Sequence, residues 1–343
     1  MIQHQPLIKH KLMQQMPAVQ IHSRSQDNPH ITVIVPAYNE ALAITSTVEN
    51  IVHTLSSLSS HWDIVVVDDG SRDDTSGVVK ALPPSMHTGL VRFSRNFGKE
   101  YAITAGLSYA VGDIVIGMDA DGQHSGTLLV EMMRKWREGY DMVYAVRQDR
   151  DVESTFKLWG SRLFYRLMSA SGKIDIPRDA GDFRLMDRVV VDALCALPER
   201  NRFMKGIYAW VGYRSIGIPY TPLARTHGES AFSRLRLMSL AWTGITSFSS
   251  LPLRLASAVG VVLALMSFAY GILVIIDKLF FHESVPGWPT VVASMMFLSG
   301  VQLLFIGILG EYLARIYDEV KGRPPYIVAE VSRPQAEPPQ HEG

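Results

Sequence analysis

Two stretches of this chain contain no Asp, Glu, Lys or Arg, and they limit what it can fold into more than any other feature. They are Leu255–Ile276, of 22 residues, and Val285–Gly310, of 26 residues. As a helix, the shorter run is about 33 Å long, enough for a hydrocarbon core of about 30 Å. Two uncharged runs of this length in succession are rare in soluble cores, which favours membrane spans over buried helices. Pro286 and Pro289 fall at the start of the second run, where a helix tolerates proline. The connection Asp277–Ser284 is short, so the spans form an antiparallel hairpin with both flanks on one side of the membrane. Those flanks carry Arg234, Arg236, Arg254, Arg315, Lys321 and Arg323, whereas the connecting loop carries only Lys278. The positive-inside rule then puts the bulk of the protein in the cytoplasm.

The rest of the composition narrows the class. Basic and acidic residues number 33 each, so the net charge is zero, and the basic excess of a dedicated nucleic-acid binder is missing. An apolar content of 47% excludes a disordered chain. A single cysteine, Cys195, excludes an internal disulfide framework and a multi-cysteine metal cluster. His53, His61 and His124 show no zinc-ligand spacing. The first 29 residues lack the apolar core of about 7–15 residues that a signal peptide needs, and are read as an extension.

From His30 to about Tyr220, apolar runs alternate with helical periods. Strands are expected at 31–37, 63–69, 89–94, 113–121 and 141–147. Helices are expected at Glu40–Leu55, Asp73–Leu82, Lys99–Val111 and Thr127–Glu138. This alternation implies an α/β domain with a mostly parallel, Rossmann-like sheet covered on both faces. Ligands of such sheets bind beyond the carboxyl ends of the strands, and the polar motifs lie there. The first strand ends in Pro36-Ala37-Tyr38-Asn39-Glu40, the second in Asp68-Asp69-Gly70-Ser71, the fourth in Asp119-Ala120-Asp121-Gly122-Gln123. Asn39, Ser71 and Asp73 taken singly suit turns and helix caps. Three carboxylate-bearing ends together suit a site. Asp119 and Asp121, with the amide oxygen of Gln123, are the donors a hard divalent cation takes, and such a cation commonly bridges to substrate phosphates. Neither a G-x-G-x-x-G after the first strand nor a P-loop is present.

VPAYNE, VVVDDGS and MDADGQH, in this order and spacing, resemble the family 2 glycosyltransferases of GT-A fold. SRNFGKEYAITAGL, GDFRLMDR, RTHGES and GEYLARIYDEVKGRPPYIV, together with the C-terminal hairpin, resemble the polyprenyl-phosphate glycosyltransferases. These include dolichyl-phosphate mannose synthases and the bacterial undecaprenyl-phosphate glucosyl- and aminoarabinosyltransferases. The resemblance implies a nucleotide-sugar donor, favouring UDP, a polyprenyl-phosphate acceptor, Mg²⁺ or Mn²⁺, inversion at the anomeric carbon, and the bacterial inner membrane as location. A homo-oligomer would also fit. By it, Pro36, Tyr38, Glu40, Val67 and Asp69 hold base and ribose. Asp119, Ala120, Asp121 and Gln123 form the metal and diphosphate segment. Arg147 and Arg225 meet phosphate. Ala231 stands where the family has a lysine, and Lys205 or Arg202 is the expected substitute. Asp182, or Asp179 just before it, is the acceptor-side carboxylate.

The expected organisation is an extension over 1–29, a catalytic domain over 30–230, an amphipathic interfacial region over 231–252, the hairpin over 253–312 and a cytoplasmic tail over 313–343. The interfacial face is Leu235, Met238, Trp242, Ile245 and Phe248, and Arg234 and Arg236 lie near its start. A processive polysaccharide synthase of the same fold is the alternative, but Q-x-x-R-W and further spans are missing. A GDP-mannose donor is the other. A nucleotidyltransferase would need an N-terminal glycine-rich loop that this chain lacks.

Overall fold

The computed structural model describes residues 28–120, 126–147, 180–200, 202–221, 251–280 and 287–333. The chain divides into two units, one of Met1–Trp159, Asp175–Ala231 and Pro324–Gly343, the other of Gly160–Ile174 and Phe232–Arg323.

The first unit is built on eight strands. They are β1 (Ile31–Ala37), β2 (Trp62–Asp68), β3 (Thr88–Phe93), β4 (Ile114–Gly117), β5 (Met142–Arg147), β6 (Ala180–Asp187), β7 (Ser215–Tyr220) and β8 (Val328–Ser332). Their order in the sheet is β7-β5-β6-β4-β1-β2-β3-β8. β1 pairs in parallel with β2 and β4, β2 with β3, and β5 with β7. β6 runs antiparallel between β4 and β5, and β8 runs antiparallel along β3. The sheet is therefore mostly parallel, as the strand–helix alternation implies. The first three strands and the fifth lie within a residue of their expected bounds. β4 is shorter than expected because its last ladder bond runs from the Met118 amide to the Ile34 carbonyl, 2.9 Å, and the chain then leaves the sheet.

The helices of this unit are α1 (Ile44–Leu55), α2 (Thr75–Lys80), α3 (Lys99–Tyr109), α4 (Gly126–Arg137), α5 (Arg188–Ala196) and α6 (Met204–Trp210). On one face of the sheet, Ile44, Val48, Ile51 and Leu55 of α1 and Leu128, Met132 and Trp136 of α4 join Ile31, Val33, Ile64, Val66, Phe183 and Leu185 in one core. Trp136 is buried and donates its Nε1–H to Asp187 Oδ2 at 2.7 Å. Truncation of such a core tryptophan to alanine costs about 3–5 kcal/mol. Asp187 also caps α5 by accepting the Val189 amide, the role its position before the helix predicts. On the other face α3 approaches β1 so closely that a Cβ on Gly106 would lie 2.1 Å from Ile34 Cγ2.

Two features depart from the sequence reading. GDFRLMD forms strand β6, not only a motif ahead of a helix. The stretch read as a tail supplies edge strand β8, whose Tyr326-side approach stacks on Phe93 with ring centroids 4.9 Å apart.

The second unit contains α7 (Leu251–Phe280) and α8 (Trp288–Val320). Within them Ala256–Leu273 and Thr290–Val320 have mean hydropathies of 2.0 and 2.1, long and apolar enough to cross a membrane. A Cβ on Gly260 would lie 3.8 Å from the Phe305 ring, so the two helices touch. Phe268, Met266, Met296 and Phe297 are exposed along them. The amphipathic region over 231–252 lies largely outside the described residues.

Candidate active site

The carboxyl ends of β1, β2, β3 and β4 converge, and their loops are tied to one another. After β1, Asn39 adopts φ +57, which suits asparagine. Its side-chain oxygen accepts the Arg72 amide at 2.8 Å, and its own amide donates to Ser71 Oγ at 2.9 Å. The Glu40 amide donates to Thr75 Oγ1, and the Ala41 amide to Asp73 Oδ2. After β2, Gly70 has φ +67, and a Cβ there would lie 2.3 Å from the Arg95 carbonyl carbon. Only glycine fits that turn. Asn39, Ser71 and Asp73 thus do serve turns, as each suggests singly.

Asp69 is 4% exposed and faces inward. Its two oxygens accept the Phe97 amide at 2.7 Å and the Gly98 amide at 2.9 Å. Burial raises its pKa, against those two amides. In this structure it shapes the loop that leads into α3.

That loop delivers Lys99 as the first residue of α3. Lys99 Nζ lies 2.7 Å from Asp119 Oδ1, just past β4, and 2.6 Å from Asp182 Oδ2 on β6. Burial works against its charge, but the two carboxylates outweigh burial and hold the ammonium above the ordinary lysine value. Burial also opposes ionisation of Asp182, yet Lys99, Lys205 and Arg184 keep its pKa below the usual carboxylate range.

A second carboxyl lies beside this pair. Burial and the Asp182 charge push Glu100 up to about 7, although its Oε2 accepts the Met204 amide at 3.0 Å. Arg184, two residues after Asp182 on the same face of β6, is 2% exposed. Its guanidinium lies 4.1 Å from the Tyr208 ring centroid and 5.2 Å from that of Tyr144. Its Nε has no partner among the described residues.

The structure thus brings Asp119, Asp182 and Lys205 into one cluster and adds Lys99, Glu100 and Arg184, which the sequence reading did not single out. Lys99 had a readable signal. A cation at a helix N-terminus opposes the helix dipole and calls for a reason. Of the other expected residues, Tyr38 is 40% exposed, Pro36 and Glu40 are partly buried, and Val67 and Ala120 are buried. The Ala120 carbonyl accepts from Thr47 Oγ1 at 2.8 Å. Arg147 is exposed at the end of β5, opposite Tyr220. Arg202 lies beyond the end of α5. Its guanidinium donates to the Leu194, Leu197 and Glu199 carbonyls at and beyond the end of α5, where a cation suits the helix dipole. Asp121, Gln123, Asp179 and Arg225 lie outside the described residues.

The sequence pattern of Glycosyl transferase family 2 matches residues 32–195, and that of the GtrB C-terminal hairpin matches residues 251–316. An uncharacterised glycosyltransferase of Synechocystis is 40% identical over 302 residues, covering 88% of this chain and 95% of its own. The chain belongs to glycosyltransferase family 2. Within that family, a prophage-derived bactoprenol glucosyl transferase of Shigella flexneri is 42% identical over 304 residues, covering 88% of this chain and 98% of its own. Among solved structures, a Pyrobaculum calidifontis mannosyltransferase in complex with GDP-Man and Mn²⁺ is 18% identical, covers 90% of this chain and 94% of its own, and has a TM-score of 0.41. This family 2 enzyme is a glycosyltransferase with a GT-A sheet and a membrane-associated hairpin.

Proposed function

We propose that this enzyme moves a hexosyl group from a nucleoside-diphosphate sugar, of the UDP class, to a polyprenyl monophosphate, with inversion at the anomeric carbon. The observation that carries the reading is the meeting of Asp119 and Asp182 on one ammonium at the carboxyl ends of the strands. The naming of relatives such as the Shigella flexneri protein as bactoprenol glucosyl transferases supports the acceptor class. The hairpin keeps the enzyme at the bacterial inner membrane, crossing it twice with the sheet in the cytoplasm, where a lipid acceptor and a soluble donor are both within reach.

Asp119 presents a hard oxygen donor that already takes a cation, Lys99 Nζ. That chemistry fits a divalent ion, with Asp121 and Gln123 as further ligands. Bound Mg²⁺ or Mn²⁺ would stabilise the charge that builds on the departing diphosphate. In the reaction an acceptor phosphate oxygen forms the new bond to the anomeric carbon as the bond to the diphosphate oxygen breaks. The acceptor is ionised at neutral pH and needs little help from a base. It needs orientation and cations around two approaching anions, which Lys205, Arg147 and Arg225 would supply. Asp182, held ionised by Lys99 and Lys205, positions the acceptor side.

The test is a screen of radiolabelled nucleotide sugars with undecaprenyl phosphate and membranes containing the full chain, scored as lipid-extractable label. One UDP-hexose should give labelled lipid, and Asp121→Asn or EDTA should remove it. No labelled lipid from any donor overturns the acceptor assignment, and full activity in EDTA overturns the metal.

A further inference from the structure

We propose that Lys99 is a resident counter-cation that competes with the divalent ion for Asp119 and so couples metal binding to nucleotide binding. The inference rests on the reading of Asp119 as a metal-binding carboxylate. It is carried by the geometry around the start of α3.

Lys99 occupies a position where positive charge is disfavoured, because the amide dipoles of α3 place partial positive charge at the same end. It stays there through two charge-assisted contacts, 2.7 Å to Asp119 Oδ1 and 2.6 Å to Asp182 Oδ2. Asp119 follows β4 and Asp182 lies on β6, its antiparallel neighbour. Without a cation between them the two carboxylates would repel. Lys99 is the group that allows them to stand side by side.

That solution conflicts with a second cation. A divalent ion on the Asp119 carboxylate would lie within a few ångströms of an ammonium that contacts the same group, and the two positive charges repel strongly at that range. Entry of the ion therefore displaces Nζ from Asp119. Nζ keeps Asp182 as its tether and remains beside the N-terminus of α3, whose amides together with the freed ammonium attract an anion. Charge counting gives the consequence. Lys99 with Asp119, Asp121 and Asp182 carries two net negative charges, which a divalent ion cancels, so Nζ displaced from Asp119 is left as an uncompensated positive charge that a diphosphate meets. Metal alone should bind weakly, and metal with nucleotide should bind strongly. Lys99 is a positioning residue in this account, and the cooperativity is its signature.

The decisive measurement is Mn²⁺ binding to the purified full chain in nanodiscs, read from the paramagnetic resonance signal of free Mn²⁺, without nucleotide and with uridine diphosphate. Lys99→Met should bind Mn²⁺ up to about fivefold more tightly than wild type without nucleotide, the size expected for release of one partly exposed ion pair. Lys99→Gln, which can still hydrogen-bond both carboxylates without a charge, should follow it. Lys99→Arg, which keeps the charge, should stay within about twofold of wild type on the same ion-pair scale. Uridine diphosphate should tighten Mn²⁺ binding in wild type more than in Lys99→Met or Lys99→Gln. A purely structural lysine gives no gain in metal affinity. Binding by Lys99→Met and Lys99→Gln equal to or weaker than wild type overturns the proposal and leaves the metal reading standing. Mn²⁺ binding that survives Asp119→Asn overturns the metal reading, and this proposal with it.

Discussion

The ends of β2 and β4 occupy equivalent places in the fold, each with a carboxylate pair at the mouth of a parallel strand, and the protein treats them in opposite ways. At the end of β2 the acids are held mainly by amides and a hydroxyl of the chain that follows, although Asp68 also lies 3.5 Å from Arg92 Nε. Asp68 accepts the Ser71 amide at 2.8 Å and the Ser76 hydroxyl, and Asp69 accepts two amides of the following loop. At the end of β4, Asp119 makes no such internal closure among the described residues and is met by a lysine side chain. Backbone amides fix a loop permanently. A side-chain ammonium can be exchanged. One end is built to hold shape and the other to trade charge.

That contrast can be broken from either side. The largest effect should come from Asp119→Asn, with sugar transfer down about 10²- to 10³-fold, the scale of losing one electrostatic stabiliser of a developing charge. Its unfolding temperature should stay close to wild type. Both acids behaving alike, with Asp119→Asn also unfolding the protein, would erase the distinction. Gly70→Ala at the end of β2 should do the reverse. It forces a side chain into a left-handed backbone and against Arg95, and should cost about 2–3 kcal/mol of stability, seen as a lowered unfolding temperature.

A third prediction uses pH. The Glu100 carboxyl is raised from 4.5 to about 7 in the folded protein. Between these values the folded chain holds a proton that the unfolded chain has lost. Stability from this group is full below 4.5 and declines as pH rises through 7. Glu100→Gln, whose amide oxygen can still accept the Met204 amide, should remove that slope. Its advantage over wild type above pH 7 should be up to about 3 kcal/mol. Unfolding temperatures of the two proteins that keep a constant gap from pH 5 to 8 would refute a buried, proton-holding Glu100. The smallest effect should be Lys80→Ala, which removes an exposed ion pair with Glu330 on β8, 2.7 Å apart. It should cost about 0.5 kcal/mol, and a loss beyond about 1 kcal/mol would show that β8 depends on this contact.

Much of the fold was legible because parallel strands buried on both faces read as unbroken apolar runs, as in ITVIVPA and DIVVVDD. β6 was harder to read. Phe183 and Leu185 alternate with Asp182 and Arg184, so the core-facing period of two was present, but the charges on the other face read as motif rather than strand. β8 escaped because a short edge strand beyond a long helix has little apolar content to report. The site divides along the same line. Asp119 and Asp182 stood out as acids in turn-like motifs. Lys99 and Glu100 did not, because their chemistry arises from neighbours distant in sequence. Asp182 lies more than 80 residues on from both. The burial of Arg184 depends on Tyr144 and Tyr208 closing over it, which no local pattern announces.

The pairing of β8 with β3 has a topological consequence. Leu90, Val91 and Arg92 are in register with Ser332, Val331 and Glu330, so the two strands belong to one sheet and lie on one side of any membrane. The chain between them can then traverse a bilayer only an even number of times. Loss of either apolar helix would strand the last strand across a barrier from its partner. The edge of the sheet thus acts as a parity check on membrane insertion, completed only after both helices have been made.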